Sequence, residues 1–366
     1  MRKRTAIVSG LALLLIGTYL VSVSYAKPLA PPLRIGVMVS DSGPLYFAGP
    51  IQRAAAKLAA ADLAKTEQPV LLDFEDLGDS DQEFVYATNK LTKFKPDLVI
   101  APIESTTAVN LLRVLGPIPV IAVSALAEKL ENSDWLFRLA TSQSQEVIAL
   151  AQYVVDSKAN SVAIVFSDDD YGRTTMRYLA MAFALRGLGK VQLIPVSEAS
   201  LIAKAKPDAM ILATMESSIG FFADYEKLVK KPKQLYLVAG NQANYSNFSW
   251  AETLDGAIAI SSEAQVPSGF RARLAGVLNR PGLESSQNPV VSLAYKSYQA
   301  ISLAADAYQR AKGNGSTRFR AALASSFVDG EALFSDQGFL NHAKYAIYRY
   351  SNRGVYSLVG KYDPKQ

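Results

Sequence analysis

Cysteine is absent from this 366-residue chain, and histidine occurs once, at His342. The first absence removes disulfides, thiol nucleophiles and thiolate metal sites together. The second nearly closes off His-based metal sites and argues against a Ser-His-Asp triad. Neither sign of charge is in great excess. The 38 Lys and Arg stand against 33 Asp and Glu, and Arg2, Lys3 and Arg4 at the very start account for much of the difference. No Lys/Arg run with interleaved aromatics occurs, so nucleic acid is not expected as a partner. Arg186-Gly-Leu-Gly-Lys190 and Lys312-Gly-Asn-Gly-Ser316 lack the flanking contexts of a phosphate loop and read as helix-end turns. What is present is an ordinary globular balance, 49% hydrophobic and 19% charged, in a length that suits about two domains.

Residues 1–26 stand apart. The basic start is followed by an apolar run from Ala6 to Val23, and Ser24-Tyr25-Ala26 places small residues where a leader would be cut. This is the pattern of a secretory signal peptide, with an uncleaved membrane anchor as the alternative. Either leaves the bulk of the chain exported. No Cys flanks the cleavage point, which excludes a lipid-anchored lipoprotein.

One stretch is written twice. Lys93-Phe-Lys-Pro-Asp97 leads through an apolar run into Glu104-Ser105, and Lys204-Ala-Lys-Pro-Asp208 leads through another into Glu216-Ser217. Self-similarity at this distance predicts two lobes of one architecture. It also sets a carboxylate and a hydroxyl at the carboxyl end of a strand in each half, where open α/β sheets bind ligands.

Strand-like and helix-like segments alternate along the rest. Strands are expected at 33–38, 70–74, 98–101 and 120–123, with helices over 52–64, 80–94 and 105–115 between them. Ser80 with Glu83 forms a capping box for the second helix. A second series has helices over 142–156, 171–188 and 219–229, and strands at 161–166, 191–196, 209–214, 234–239 and 256–260. Helices at 269–278, 290–311 and 317–324 follow, and 345–350 with 355–359 reads as a terminal hairpin. The βα alternation predicts parallel, doubly wound sheets.

These segments resemble the type I periplasmic solute-binding proteins, in particular the branched-chain amino acid and amide group that serves ABC transporters. The resemblance covers about residues 33–363. It is carried by Ile35-Gly-Val-Met-Val-Ser-Asp-Ser-Gly-Pro44 with Gly49, by Phe84-Val-Tyr-Ala-Thr-Asn-Lys-Leu91, and by Pro102-Ile-Glu-Ser-Thr-Thr107. Phe137-Arg-Leu-Ala-Thr-Ser142, Val162-Ala-Ile-Val-Phe-Ser-Asp-Asp-Asp-Tyr-Gly172, Ala294-Tyr-Lys-Ser-Tyr298 and the ending Val355-Tyr-Ser-Leu-Val-Gly-Lys-Tyr362 continue it. It implies two doubly wound, Rossmann-like α/β lobes joined by three crossover segments, with a ligand cleft between them. Lobe 1 would hold 33–138 and 263–334, and lobe 2 would hold 139–262 and 335–366. The implied protein is a periplasmic monomer without cofactor or metal. It would bind a small polar metabolite (an amino acid, amide or related amine) and pass it to an inner-membrane ABC permease.

Five segments supply candidate ligand contacts. Ser42 and Tyr46 follow the first strand. Glu104, Ser105 and Thr106 sit at a helix start, where the resemblance gives Ser105 the ligand's carboxylate. Ser124 follows the fourth strand. Tyr171 matches an aromatic that closes over ligand in the family, and the preceding Asp168-Asp169-Asp170 reads as a helix cap, since a Ca²⁺ loop needs spaced oxygens and a Gly turn. Glu216 and Gln242 end two second-lobe strands. Tyr245, Phe248 and Trp250, interleaved with Asn244 and Asn247, suit a cleft rim.

The chain departs from the family at Ala48, Leu126 and Gln242, where a Tyr, a hydroxyl residue and an acid are usual. Those departures weaken an ordinary zwitterionic amino acid as ligand, and the two glutamates, Glu104 and Glu216, suit a cationic or amide-bearing one better. Two other readings stay open: an exported sensory or regulatory module on the same fold, and an enzyme using Glu104 and Glu216 as an acid/base pair across a glycosidic bond.

Overall fold

The structure is a computed structural model that describes residues 31–363 except 43–45, 47, 67, 102–104, 125–132, 199, 215–218, 229, 239–252, 263–265, 284–288, 313–314, 329–330, 336–337, 342–344 and 352–355. Its first strand, β1 (Leu33–Val39), is buried along nearly its whole length. Continuous burial of an apolar strand requires cover on both faces, which is the condition of a parallel sheet. The same holds for β3 (Leu98–Ala101), β4 (Val120–Ala122) and β5 (Leu136–Arg138), while β2 (Val70–Asp76) is half-buried at the edge. These strands pair in parallel in the order β2-β1-β3-β4-β5.

Alternate residues of β1 serve two cores. Leu33, Ile35, Val37 and Val39 pack against Ala56 and Ala59 of α1 (Ala48–Ala64). On the same face they meet Ala300, Ile301 and Ala304, from a helix far along the chain. Met38 faces the other way, onto Ala87 and Leu91 of α2 (Asp81–Phe94) and Ala108 and Leu111 of α3 (Ser105–Leu115). The Ser80 cap of α2 is present: its hydroxyl accepts the Glu83 amide at 3.3 Å. The Glu83 carboxylate reaches past the cap to take the Asp79 amide at 2.8 Å.

The second series repeats the first. After α4 (Gln143–Asp156) come β6 (Val162–Phe166), α5 (Asp170–Leu185), β7 (Val191–Pro195), α6 (Leu201–Ala205), β8 (Ala209–Ala213), α7 (Ile219–Glu226), β9 (Gln234–Leu237) and β10 (Ile258–Ser262). The parallel part of this sheet runs β7-β6-β8-β9-β10. In both sheets the second strand lies outside the first, followed by the third, fourth and fifth. The chain is an α/β fold of two parallel-sheet lobes.

The duplicated motif explains part of this symmetry. In each copy the second Lys ends a helix in the left-handed region, Lys95 at φ 54° and Lys206 at φ 46°. The proline that follows bars continuation of the helix. The aspartate then secures the neighbouring central strand. Asp97 accepts the Arg34 amide at 2.9 Å, and Asp208 accepts the Asn160 amide at 3.2 Å and the Ser161 hydroxyl at 3.3 Å.

Beyond β10, α8 (Ser268–Leu278), α9 (Pro289–Ala311) and α10 (Gly315–Ala324) return to the first sheet. Ala300, Ile301 and Ala304 of α9 lie in its core, and Phe270 and Leu274 of α8 pack with Ile51 and Ala55 of α1. A short ladder of β11 (Phe327–Val328) and β12 (Glu331–Ala332) follows. The chain then adds β13 (Tyr345–Tyr350) antiparallel to β10, and β14 (Tyr356–Tyr362) antiparallel to β13, at the edge of the second sheet. The expected hairpin is thus the continuation of a sheet. No sequence pattern pointed to α6 or to β11 and β12. Helices α5 and α7 end at Leu185 and Glu226, before the expected 188 and 229.

Candidate functional site

The carboxyl ends of β1, β3, β4, β6, β8 and β9 are where this topology gathers loops and helix starts. At the end of β1, Ser40 is buried and its carbonyl accepts the Gly49 amide at 3.0 Å, fixing the start of α1. A Cβ at Gly49 would stand 2.6 Å from that carbonyl and 2.1 Å from an Asp41 oxygen. The second lobe repeats the arrangement: a Cβ at Gly172 would stand 2.2 Å from the Ser167 carbonyl. In each sheet the helix that follows the first strand therefore opens with a glycine laid on the serine just past that strand.

Charges organise the rim of the first lobe. Arg53 donates to Asp41 at 2.8 Å and stacks over Phe74, while the Asp41 amide donates to Asp76 at 2.9 Å. Burial pushes the Asp76 carboxyl up, but hydrogen bonds from Asp41, Ser42 and Gly78 outweigh it and leave it below the usual range. Ser42 is half-buried in this network, and Tyr46 is exposed at 62%. Ser124 is half-buried just past β4. Ser105 and Thr106 lie in the first turn of α3, and their side chains are outside what the structure describes.

In the second lobe Asp169 caps α5, accepting the Gly172 amide at 2.6 Å, and Asp168 pairs with Arg173 at 2.6 Å. The acidic run is a helix start, as its sequence suggested. Tyr171, half-buried, follows it; its carbonyl accepts the Gln143 side-chain amide at 3.5 Å, and the same amide group donates to Thr175 at 2.6 Å. Tyr171, Gln143, Glu146, Val147, Leu150, Val238 and Ile260 line a small gap with room for about one water molecule. Glu104, Glu216 and Gln242 lie outside the described residues, as do Leu126, His342 and the aromatic segment from Tyr245 to Trp250.

The segments that pass between the sheets hold buried polar groups that the sequence reading missed. Arg138 is fully buried; its amide donates to the Gly338 carbonyl at 2.8 Å and its guanidinium stacks over Phe339. Ser262, at the end of β10, donates to Glu146 through its hydroxyl at 2.6 Å and its amide at 3.2 Å. Its carbonyl accepts Lys296 of α9 at 3.0 Å. Burial raises the Glu146 carboxyl, and the Ser262 hydroxyl and the Lys296 charge only partly offset this. One signal was available: Glu146 and Lys296 are lone charges on the apolar faces of otherwise amphipathic helices.

A family model described as periplasmic binding protein matches residues 32–344. No curated protein matches the chain. Among solved structures, the leucine-binding protein LivK of Thermotoga maritima superposes with a TM-score of 0.75 at 14% identity, covering 91% of this chain and 99% of that one. LivJ of Streptococcus pneumoniae, solved with isoleucine, gives 0.70 at 18% identity, over 90% of this chain and 99% of that one. A solute-binding protein of R. palustris, solved with benzoate, gives 0.69 at 16% identity, over 90% and 96%. At these identities the likeness is one of fold.

Proposed function

The chain belongs to the periplasmic binding protein family, and from that premise we propose that it is the exported solute-capturing component of an ABC importer, binding a small polar metabolite by closure of its two lobes. The reading is supported above all by the repeated sheet order, which turns the strand ends and helix starts of both lobes into candidate binding walls. Lobe 1 comprises 33–138 with 263–334, and lobe 2 comprises 139–262 with 335–366. Ser42, Tyr46, Glu104, Ser105, Thr106 and Ser124 contribute from the first wall, and Tyr171, Glu216 and Gln242 from the second. An open form makes only one wall's contacts, so ligand shifts the population to the closed form in proportion to the contacts the other wall adds. The protein makes and breaks no covalent bond. It works in the periplasm, after export directed by residues 1–26, and hands its cargo to an inner-membrane permease. Among the described residues no helix is long and apolar enough to cross a membrane.

A thermal-shift screen with amino acids, amides, urea and polyamines tests this. A specific binder present at about a hundred times its dissociation constant adds about 2.7 kcal/mol to stability and raises Tm accordingly. If no compound of these classes shifts the transition, capture of a small polar metabolite is refuted and the sensory-module reading on the same fold takes its place.

A further inference from the structure

Four segments carry the chain from α4, α5, α6 and α7 into β6, β7, β8 and β9. Because those strands are parallel, all four segments lie at the end of the second sheet opposite its candidate contacts. Residues 157–161, 186–190, 206–208 and 227–233 together hold eight Lys or Arg and one acid, Asp208. The corresponding segments of the first sheet, 65–69, 95–97 and 116–119, hold two of each sign. Cations near helix ends answer the helix dipole, but that applies to both sheets alike. The surplus belongs to one of them.

The kind of cation matters as well. Seven of the eight are lysines, and the arginine, Arg186, is engaged with the Gln152 side chain at 3.1 Å. The lysines are exposed, and Lys158, Lys190, Lys206 and Lys230 have no carboxylate partner among the described residues. Lysine is a hydrated point charge on a flexible stem, without the planar fork that grips a single phosphate. A group of them fits a diffuse, fluid anionic surface. An apolar side chain stands in the same place. Leu185, the last residue of α5, is 83% exposed, more than any other large apolar side chain among the described residues, and Met181 one turn earlier is 60% exposed. A leucine among lysines gains from a surface with anionic headgroups over hydrocarbon, whereas a purely ionic partner leaves it in water.

We propose that this pole of the second lobe docks on the anionic phospholipid headgroups of a bilayer, with its lysines in the headgroup layer and Leu185 at the boundary with the acyl chains. Docked in this way the protein is held at the membrane while the opposite end of the sheet, where Tyr171 lies, faces water. Salt screens the attraction over about 10 Å at about 0.1 M, which keeps the contact reversible. The inference goes beyond solute capture and does not depend on which solute is captured.

Flotation of the exported protein with vesicles tests it. Vesicles of equal parts phosphatidylglycerol and phosphatidylcholine are expected to carry the protein at about 0.1 M salt and to release it at about 1 M, where the screening length falls to about 3 Å. Pure phosphatidylcholine is expected to leave it behind. Lys158→Gln with Lys206→Gln, and Lys230→Gln with Lys231→Gln, should each lower the partition coefficient about 25-fold, at about fivefold per lysine near an anionic surface. Lys65→Gln with Lys95→Gln, the matched change at the first sheet, should not lower it. Leu185→Ser should weaken binding to the mixed vesicles without altering its salt dependence. Absence of partition at low salt overturns the proposal, and so does an equal loss in the Lys65 and Lys95 variant, which would mean that net charge alone is sensed. Binding that persists in both lysine-pair variants places the contact elsewhere and refutes the pole. Unchanged partition in Leu185→Ser would assign the pole to an ionic partner such as an acidic polypeptide and overturn the bilayer. Any compound that shifts the melting transition of the parent should shift these variants equally, so failure of docking and failure of solute capture read out separately.

Discussion

Asp62 offers a perturbation whose size and pH dependence both follow from its surroundings. Its carboxylate joins three helices: Arg273 of α8 donates at 2.7 Å, Tyr298 of α9 at 2.9 Å, and Lys65, just past the end of its own helix α1, at 3.0 Å. The Arg273 hydrogen bond is the main reason its carboxyl falls from 3.8 to about 2; burial opposes the fall, while Lys65 and Tyr298 support it. A drop of that size corresponds to about 2.4 kcal/mol, at about 1.36 kcal/mol per pH unit. Arg273 is 42% exposed and Asp62 24%, so water screens the pair, and about 1 kcal/mol is the expected net effect.

The sign is that of a depressed acid. The stabilisation is complete above the unfolded value near 3.8 and is lost as pH falls through the folded value near 2. Asp62→Asn should therefore cost about 1 kcal/mol in urea unfolding at pH 7, with the gap from the parent closing between about pH 4 and pH 2. A cost that stays constant across that window would mean that the charge is irrelevant and that only packing was disturbed.

Glu146→Ala should destabilise by about 3–5 kcal/mol in the same assay, because it strands the Ser262 donors and a buried lysine, and Glu146→Gln by much less. Because burial raises the Glu146 carboxyl above its ordinary 4.5, its contribution is full below that value and declines as pH rises through the folded one. The deficit of Glu146→Gln relative to the parent should then shrink with rising pH, and a growing deficit contradicts the assignment. Gly172→Ala forces a Cβ to within 2.2 Å of a backbone carbonyl and should cost about 1–3 kcal/mol, whereas Gly276→Ala, exposed inside α8 with nothing within 4 Å, should stabilise by about 0.5–1 kcal/mol; melting temperatures moving the same way would refute the contrast. Tyr171→Ala and Ser105→Ala should each weaken binding of whichever compound the thermal screen identifies while leaving the far-ultraviolet dichroism unchanged; unaltered affinity in both removes them from the site.

The central strands were legible because runs such as Leu98-Val-Ile-Ala101 and Val162-Ala-Ile-Val-Phe166 have no polar face to turn to solvent, and only a sheet covered on both sides accepts them. The turns were legible because Pro and the residue before it have few conformations, which is why Lys-x-Lys-Pro-Asp forms the same structure twice. Short elements were not. Leu201–Ala205 is a single turn and a half that its own sequence does not stabilise, and it forms because Ile202 is buried with Ile194 and Met210 in the second core. Of the candidate site, the caps and strand ends around Ser42, Ser124 and Tyr171 could be located in advance, since they depend on local order. Glu146, Lys296 and Arg138 could not be paired in advance, because their partners lie between 34 and 200 residues away.

Taken alone, the amino-acid order determined the alternation of strands and helices, the recurrence of one strand-leading motif in both halves, and the exclusion of thiol chemistry. Those are consequences of periodicity, of restricted backbones and of residue inventory, all of them local or additive. Tertiary structure decided which helices cover which sheet, that the terminal hairpin extends the second sheet, and that one serine between the sheets is held by a carboxylate and an ammonium from opposite sides. Such pairings depend on burial, because an isolated charge away from water is tolerable only where folding delivers its counterpart, and that meeting is visible only in three dimensions.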